Sequence, residues 1–195
     1  MKLVVNTFLT LDGVMQAPGD AQEDTTGGFT YGGWQIPFFD EDAARIMNEQ
    51  MAATSALLLG RVTYQIHAAY FPTAPEDDPF AQKLNSIPKY VVSTTLKKVE
   101  WNNSTLIRKN IAQEVAKLKK QPGSGTLSVT GSGKLAQTLM QENLVDEYNL
   151  WIHPIVLGSG KRLFGENIGP LNLKLIDTKT TGKGIMVLTY LPAGG

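Results

Sequence analysis

Cysteine is absent from the 195 residues. That excludes disulfides, thiolate zinc centres and cysteine nucleophiles together. Histidine occurs twice, at His67 and His153, too sparsely for a histidine-rich metal cage, and no metal site is expected. Neither sign of charge is in excess: eighteen Lys and Arg stand against eighteen Asp and Glu. No global field therefore draws the chain toward nucleic acid or an anionic membrane. Long apolar runs are missing too, and nothing approaches the roughly 20 residues needed to cross a bilayer. The segment Met1–Phe8 lacks the extended apolar region and small-residue cleavage site of a secretory leader, so it reads as a strand. A soluble, cytoplasmic protein handling a small molecule is the expectation, with neither nucleic acid nor membrane as partner.

What is present argues for a packed fold. Hydrophobic residues make up 42% and charged residues 18%, enough for a sizeable core and too apolar for disorder. The length suits one domain over residues 1–195. Leu3–Leu11 is a strand candidate, short apolar runs of the kind buried on both faces of a parallel sheet occur at Ala56–Gly60, Tyr90–Ser93 and Leu127–Thr130, and Glu147–Leu157 is a longer one. Leu171–Ile176 and Ile185–Leu191 read as a closing antiparallel hairpin.

Helical patterns lie between the strands. Asp40 can cap a helix running to about Ala53, with Ala43, Met47 and Met51 on one stripe. Asp78-Pro79 starts a short helix through Ile87. Asn110 and Gln113 resemble a capping box, with Ile111, Val115 and Leu118 inward, and Pro122-Gly123-Ser124-Gly125 ends that helix. A further helix begins near Ser132 and buries Leu135, Leu139 and Met140. Val14–Pro37 is glycine-rich without a sustained period, and Phe71–Asp78 is rich in proline and acid; loops of this kind are functional or mobile. The order predicts an α/β fold with a mostly parallel central sheet and antiparallel C-terminal strands.

Two junctions could carry chemistry. In Leu59-Gly60-Arg61-Val62-Thr63-Tyr64 and Thr130-Gly131-Ser132-Gly133-Lys134-Leu135, a buried strand ends in glycine and a helix begins. A helix N-terminus offers unpaired N–H groups and about half a positive charge, which favours phosphate. Glycine lets the backbone approach an anion closely. Two such sites in one small sheet could grip a dinucleotide, although glycine at a strand–helix turn is also ordinary turn chemistry. Neither junction has Walker spacing, and Gly131-Ser132-Gly133 lacks the third Rossmann glycine. Ser159 lies in Gly158-Ser159-Gly160, which is no nucleophile elbow, so hydrolase chemistry has little support.

The ordered set Leu11-Asp12-Gly13, Gly60-Arg61-Val62-Thr63-Tyr64, Val91-Val92-Ser93-Thr94, Gly131-Ser132-Gly133 and Pro154-Ile155-Val156-Leu157-Gly158-Ser159-Gly160-Lys161-Arg162-Leu163-Phe164 resembles the reductase domain of bacterial riboflavin biosynthesis, within the dihydrofolate reductase-like superfamily. The resemblance spans nearly the whole chain. It implies a three-layer dihydrofolate reductase-like fold that binds NADPH and reduces a C=O or C=N of a small heterocyclic substrate, such as a ribosylaminopyrimidine or pterin. It further implies that Gly60, Arg61 and Thr63, with Gly131, Ser132, Gly133, Lys134 and Leu135, hold the cofactor phosphates. Ser93 and Thr94 lie by the adenosine ribose, and Arg61, Ser93 and Lys97 are candidates for a 2′-phosphate, a task that suits the planar arginine fork.

Asp12 and Asp40 are the candidate catalytic acids. Asp12 is equally a turn former before Gly13. Asp40, in Trp34-Gln35-Ile36-Pro37-Phe38-Phe39-Asp40, is equally a helix cap and sits one residue later than the resemblance requires. Trp34, Phe38 and Tyr64, among Phe29, Tyr31 and Phe39, could stack on a planar substrate or pack in a core. His153 reads as structural, and His67 has no evident partner. Tyr148–Pro154 offers aromatic surface for a homodimer, which the resemblance also suggests. A nucleotide-binding module without turnover, and dihydrofolate reduction itself, stand as alternative readings.

Overall fold

A computed structural model describes residues 1–123, 125–165 and 168–194. The strands are β1 Lys2–Thr10, β2 Thr54–Gly60, β3 Lys89–Val92, β4 Ser104–Ile107, β5 Thr126–Thr130, β6 Glu147–His153, β7 Leu173–Thr180 and β8 Met186–Pro192. The helices are α1 Glu41–Ala53, α2 Arg61–Tyr70, α3 Pro79–Ser86, α4 Ile111–Lys119 and α5 Gly133–Gln141. All eight strands form one sheet in the order β4-β3-β2-β5-β1-β6-β8-β7. The first six are mutually parallel, while β8 pairs antiparallel with β6, and β7 pairs antiparallel with β8. This is the α/β architecture the sequence predicts.

Side-chain alternation divides the chain between two faces. On one, Leu3, Val5 and Leu9 of β1 meet Leu58, Leu127 and Val129, under Val115 and Leu118 of α4 and Leu135, Ala136 and Leu139 of α5. On the other, Leu57, Leu59 and Val91 meet Tyr64 of α2, Leu84 of α3 and Trp101. Further along that second face, Trp151 and Val187 meet Ala43 and Ile46 of α1. Each fully buried aliphatic side chain contributes about 1.5–3 kcal/mol.

The fold uses several polar side chains as fasteners. Asp40 caps α1 by accepting from the Ala43 amide, and Asp78 caps α3 by accepting from Phe80 and Ala81. Lys89 is fully buried, yet its ammonium donates to the carbonyls of Leu84 and Asn85 and lies 4.3 Å from the Trp101 ring centroid. It thereby ties the last turn of α3 to β3 and supplies positive charge where the helix dipole is negative.

Several expectations need correction. The capping box at Asn110 does not form: Asn110 takes φ 52°, and its side chain makes no cap bond. Asparagine tolerates that left-handed backbone, which turns the carboxamide away from the cap position. The α1 core contact is Ala43 with Ile46, and Met47 and Met51 are half-buried. β6 ends at His153 rather than Leu157, and the proline that follows has no N–H for a ladder. β4 was missed. Of the turn expected after α4, Ser124 lies outside the described residues. Tyr148–Pro154 is not an aromatic surface, since Tyr148, Leu150, Trp151 and His153 are all buried. Among the described residues no helix is long and apolar enough to cross a membrane.

Candidate active site

Because β1 to β6 are parallel, their C-terminal ends share one edge of the sheet, and the loops that follow them gather there. At this edge the two glycine junctions are neighbours. The Gly60 amide donates to Ser132 Oγ at 2.9 Å, and the Ser132 amide donates to Thr63 Oγ1 at 3.2 Å. β2 and β5 are adjacent, but α2 packs on one face of the sheet and α5 on the other. The chain thus reverses direction between these strands, and a crevice at such a switch point is where open α/β sheets take their ligands.

Both helix starts lack a side-chain cap, as does α4, whereas α1 and α3 are capped. The first-turn amides of α2 and α5 are therefore orphan donors. Gly131 and Ser132 are both left-handed, with φ of 57° and 51°, a backbone that glycine adopts freely and serine rarely. Gly60 has an ordinary φ of −75°, and a Cβ there would come no nearer than 3.5 Å to Ser132. Neither backbone conformation nor crowding among the described residues demands glycine at position 60. Gly133 is crowded instead: a Cβ there would lie 2.7 Å from Met15 Sδ. The loop after β1 thus crosses the start of α5.

The basic groups of this edge follow the ends of β2, β3 and β4. Arg61 is exposed and donates to Gln65 at 2.9 Å. Lys97 is exposed, and Arg108 donates to its carbonyl at 2.7 Å. Arg108 escaped sequence reading because β4 did. Ser93 is buried, with its hydroxyl accepting from the amides of Thr95 and Leu96, whereas Thr94 is exposed. Lys134 is exposed and Leu135 buried, so Leu135 can offer a ligand only its backbone amide.

The two carboxylates are occupied as fasteners. Asp12 accepts from Thr10 Oγ1 at 2.6 Å, Gly158 N at 2.8 Å and Leu157 N at 3.2 Å, with Arg162 at 3.5 Å. The Thr10 hydroxyl, partly opposed by desolvation and aided by the two amides, holds its carboxyl down to about 2. Asp40 accepts from the amides of Ala43 and Lys183, and the Ala43 bond leads in lowering its pKa. Both are ionised at neutral pH, so neither supplies a proton there.

The aromatics divide in the same way. Trp34 is buried, donates to the Gln16 carbonyl at 2.7 Å and stands edge-on to His153. Gln16, also buried, donates to the carbonyls of Asp24 and Thr26 and accepts from the Lys161 amide. The long loop after β1 is thus fastened to the loop after β6. Phe38 is half-buried beside His153. Tyr64 is buried against Trp101, and its hydroxyl accepts from the amides of Glu100 and Trp101. Tyr64 and Trp34 therefore serve packing. His153 is buried with Nδ1 near the carbonyls of Leu9 and Trp151, and desolvation lowers its pKa. His67 is likewise enclosed by Phe71 and Trp101, and burial pushes it down to about 4.

One part of the site has no counterpart in the sequence reading. Asn6, Phe8 and Thr130 lie on interior strands, on the face that carries α1 and α2, yet they are only half-buried. On the opposite face Leu3, Val5, Thr7 and Leu9 are all buried. The helices thus leave a gap over β1 and β5, beside the glycine turns. Its floor is polar: Asn6 donates to Ser128 Oγ at 2.7 Å, and Ser128 and Thr130 hydroxyls are 3.5 Å apart. The alternation of Asn6, Phe8 and Thr10 against a leucine and valine face was the available signal. Two surface clefts lie elsewhere. One of about 310 Å³ is bordered by Gln50, Asn149, Ile176 and Lys179, and one of about 420 Å³ by Pro72, Gln82, Asn85 and Asn103. Neither touches a glycine turn. Among the described residues no group of three or more His, Asp and Glu converges as a metal site.

A family model for the RibD C-terminal domain matches residues 1–187. The Bacillus subtilis (strain 168) protein YyaP, itself uncharacterised, is 30% identical over 194 residues, covering 97% of this chain and 94% of YyaP. Among solved structures, a Shewanella sp. PV-4 protein provisionally named for riboflavin biosynthesis aligns over 100% of both chains at 22% identity, with a TM-score of 0.71. Dihydrofolate reductase from Enterococcus faecalis, solved with NADP(H), aligns over 99% of this chain and 97% of its own at 14% identity, with a TM-score of 0.62. The fold is therefore dihydrofolate reductase-like, as the sequence resemblance implied, and with its crevice of paired glycine turns the chain belongs to the RibD C-terminal domain family, a family of reductase type.

Proposed function

We propose that the protein is an NADPH-dependent reductase, with the coenzyme diphosphate held between the starts of α2 and α5. The observation that carries this reading is the Gly60–Ser132–Thr63 contact, which sets two uncapped helix starts side by side at the switch point of the sheet. Amides of Arg61, Val62 and Thr63 on one side, and of Gly133, Lys134 and Leu135 on the other, would donate to the diphosphate. Arg61, with Lys97 and Arg108 on the neighbouring strand ends, would select a 2′-phosphate over a bare ribose. Thr94 is the exposed member of the Ser93-Thr94 pair and the one free to meet the adenosine ribose.

When bound, the dihydronicotinamide supplies the hydride. The gap floored by Asn6, Phe8 and Thr130 would hold the acceptor, a small heterocycle with a C=O or C=N carbon, and Phe38 lies at the same end of the sheet. The protein's task is alignment and exclusion of water. Asp12 and Asp40 act in this scheme as positioning residues, fixing the loops around the gap, and the proton completing the reduction comes from solvent. A homodimer is part of the proposal.

The test is loss of reduced-nicotinamide absorbance on mixing the protein with NADPH and a panel of ribosylaminopyrimidines, pterins, dihydrofolate and small carbonyls. Turnover with NADPH in preference to NADH is expected. NADPH binding without oxidation of any panel member would favour a nucleotide-binding module, and failure to bind would end the proposal.

A further inference from the structure

Three aromatic rings from three stretches of chain converge on one imidazole. His153, the last residue of β6, is fully buried. Phe8 of β1 stands edge-on to it with ring centroids 5.6 Å apart, Trp34 of the long loop after β1 at 5.1 Å, and Phe38 just before α1 at 6.2 Å. The interplanar angles are 89°, 86° and 72°, the edge-to-face arrangement that aromatic quadrupoles favour.

The orientation of that imidazole is itself fixed. Nδ1 lies 3.0 Å from the Trp151 carbonyl of β6 and 3.3 Å from the Leu9 carbonyl of β1. A carbonyl only accepts, so Nδ1 carries the proton and Nε2 bears a lone pair. Nε2 is buried and has no hydrogen-bond partner among the described residues. An unmet acceptor in the interior is unfavourable, and phenylalanine would fill the same cage without one. What the imidazole adds is a flat ring whose plane is tied by a hydrogen bond to two strands. A benzyl ring has no such handle, and its χ2 torsion is soft. Desolvation, which lowers the pKa of His153, keeps the ring neutral.

We propose that His153 is the positioning residue of the acceptor side of the site, holding Phe8 and Phe38 at the angle at which they meet a planar acceptor. The inference rests on the reductase reading above. Phe8 floors the gap over β1, and Phe38 lies at the same end of the sheet. Both are half-buried, so each ring has one part packed on its neighbours, His153 among them, and another part open. Trp34 is buried and tied to the Gln16 carbonyl, so it braces the imidazole from the loop side. The contacts of His153 lie on β1, on β6 and on the segment between β1 and α1. They do not involve the starts of α2 and α5, to which the coenzyme diphosphate is assigned. Acceptor binding and coenzyme binding therefore separate in experiment. Loss of the ring weakens the acceptor in its ground state and transition state alike, which raises KM and leaves kcat in place.

Steady-state kinetics on the full chain, with NADPH and whichever acceptor of the panel the wild type reduces, test this role. His153→Asn keeps a donor near the two carbonyls and removes the ring. It is expected to raise the acceptor KM by about tenfold or more, with kcat and the NADPH dissociation constant within about twofold of wild type. Phe38→Leu is expected to show the same split. The double variant should be little worse than either single one, because both changes remove one contact. Nitrogen-detected NMR of the wild type should place the His153 proton on Nδ1 at pH 7. An unchanged KM in folded His153→Asn would overturn the inference. So would an equal loss of NADPH affinity, additive effects in the double variant, or a proton on Nε2. Should His153→Asn fail to fold, His153→Phe, which fills the cage and leaves both carbonyls without a donor, is read in the same way. A wild type that reduces no acceptor removes the reductase reading and this role with it, whereas turnover without the split removes this role alone.

Discussion

Replacing Asp12 by Asn changes one atom type and removes one charge at the junction of the loops after β1 and β6. The carboxylate holds Thr10 Oγ1 at 2.6 Å, Leu157 N at 3.2 Å and Gly158 N at 2.8 Å. The asparagine oxygen can keep the first two, because both use the same carboxylate oxygen. Its amide nitrogen would then face the Gly158 N–H and Arg162, donor against donor. The Gly158 amide is exposed and can turn to water, and the Arg162 pair is worth at most about 1 kcal/mol at a surface. The sum is about 1–2 kcal/mol of lost stability. The proton linkage gives an independent figure. A fall from 3.8 to about 2 corresponds to about 2 kcal/mol by the usual conversion, and partial exposure reduces that to about 1–2 kcal/mol. The pKa is lower in the folded chain than in the unfolded one, so this stability is present above about pH 4 and is lost as pH falls through 2. Thermal unfolding followed by tryptophan fluorescence, at pH 7 and at pH 3, measures both effects. The variant is expected to melt about 3–6 °C lower at pH 7 and to lose less than the wild type on acidification. Equal midpoints for the two proteins at pH 7 would refute the fastening role assigned to Asp12.

Gly60→Ala should change stability by about 1 kcal/mol or less, the ordinary difference at a helix cap, while weakening NADPH binding at least tenfold by calorimetry. Tyr64→Phe leaves the amides of Glu100 and Trp101 without their acceptor; it should cost about 1–3 kcal/mol in urea unfolding with NADPH affinity unchanged. Lys89 is pushed by burial down to about 8 from 10.5, so the unfolded chain binds the extra proton between those values. This group therefore makes the fold more stable as pH rises from about 8 to about 10.5, and Lys89→Met should lack that rise in a pH series of denaturant midpoints. Arg108→Ala should reduce the preference for NADPH over NADH by about tenfold or more, read as the ratio of the two dissociation constants.

The parts of this molecule legible in the sequence are those decided by local chemistry. Asp40 and Asp78 cap helices because an acceptor before an amphipathic run has few other uses, and the glycine turns at 60 and 131 mark strand–helix boundaries directly. The order of the strands was not legible. Gly60 and Ser132 touch only because β5, far along the chain, inserts beside β2. Trp34 and Tyr64 were open to two readings for the same reason: whether an aromatic ring packs or lines a pocket depends on what meets it across space, here His153 and Trp101. β4 escaped because Ser104–Ile107 is four residues long and half of them carry hydroxyls. Asn110 shows the opposite failure, since its capping pattern was present and the backbone chose another conformation. Asp12 looked catalytic beside its glycine, while the amides of Leu157 and Gly158 that claim it lie about 145 residues away.

Amide hydrogen exchange with and without NADPH addresses the central claim most directly, because first-turn amides are the proposed ligands. One extended coenzyme held by both helix starts should slow exchange together at Arg61–Tyr64 and at Gly133–Leu135, with little change in α1 or α3. Protection at only one of the two turns, or at neither while NADPH is bound, would contradict the account.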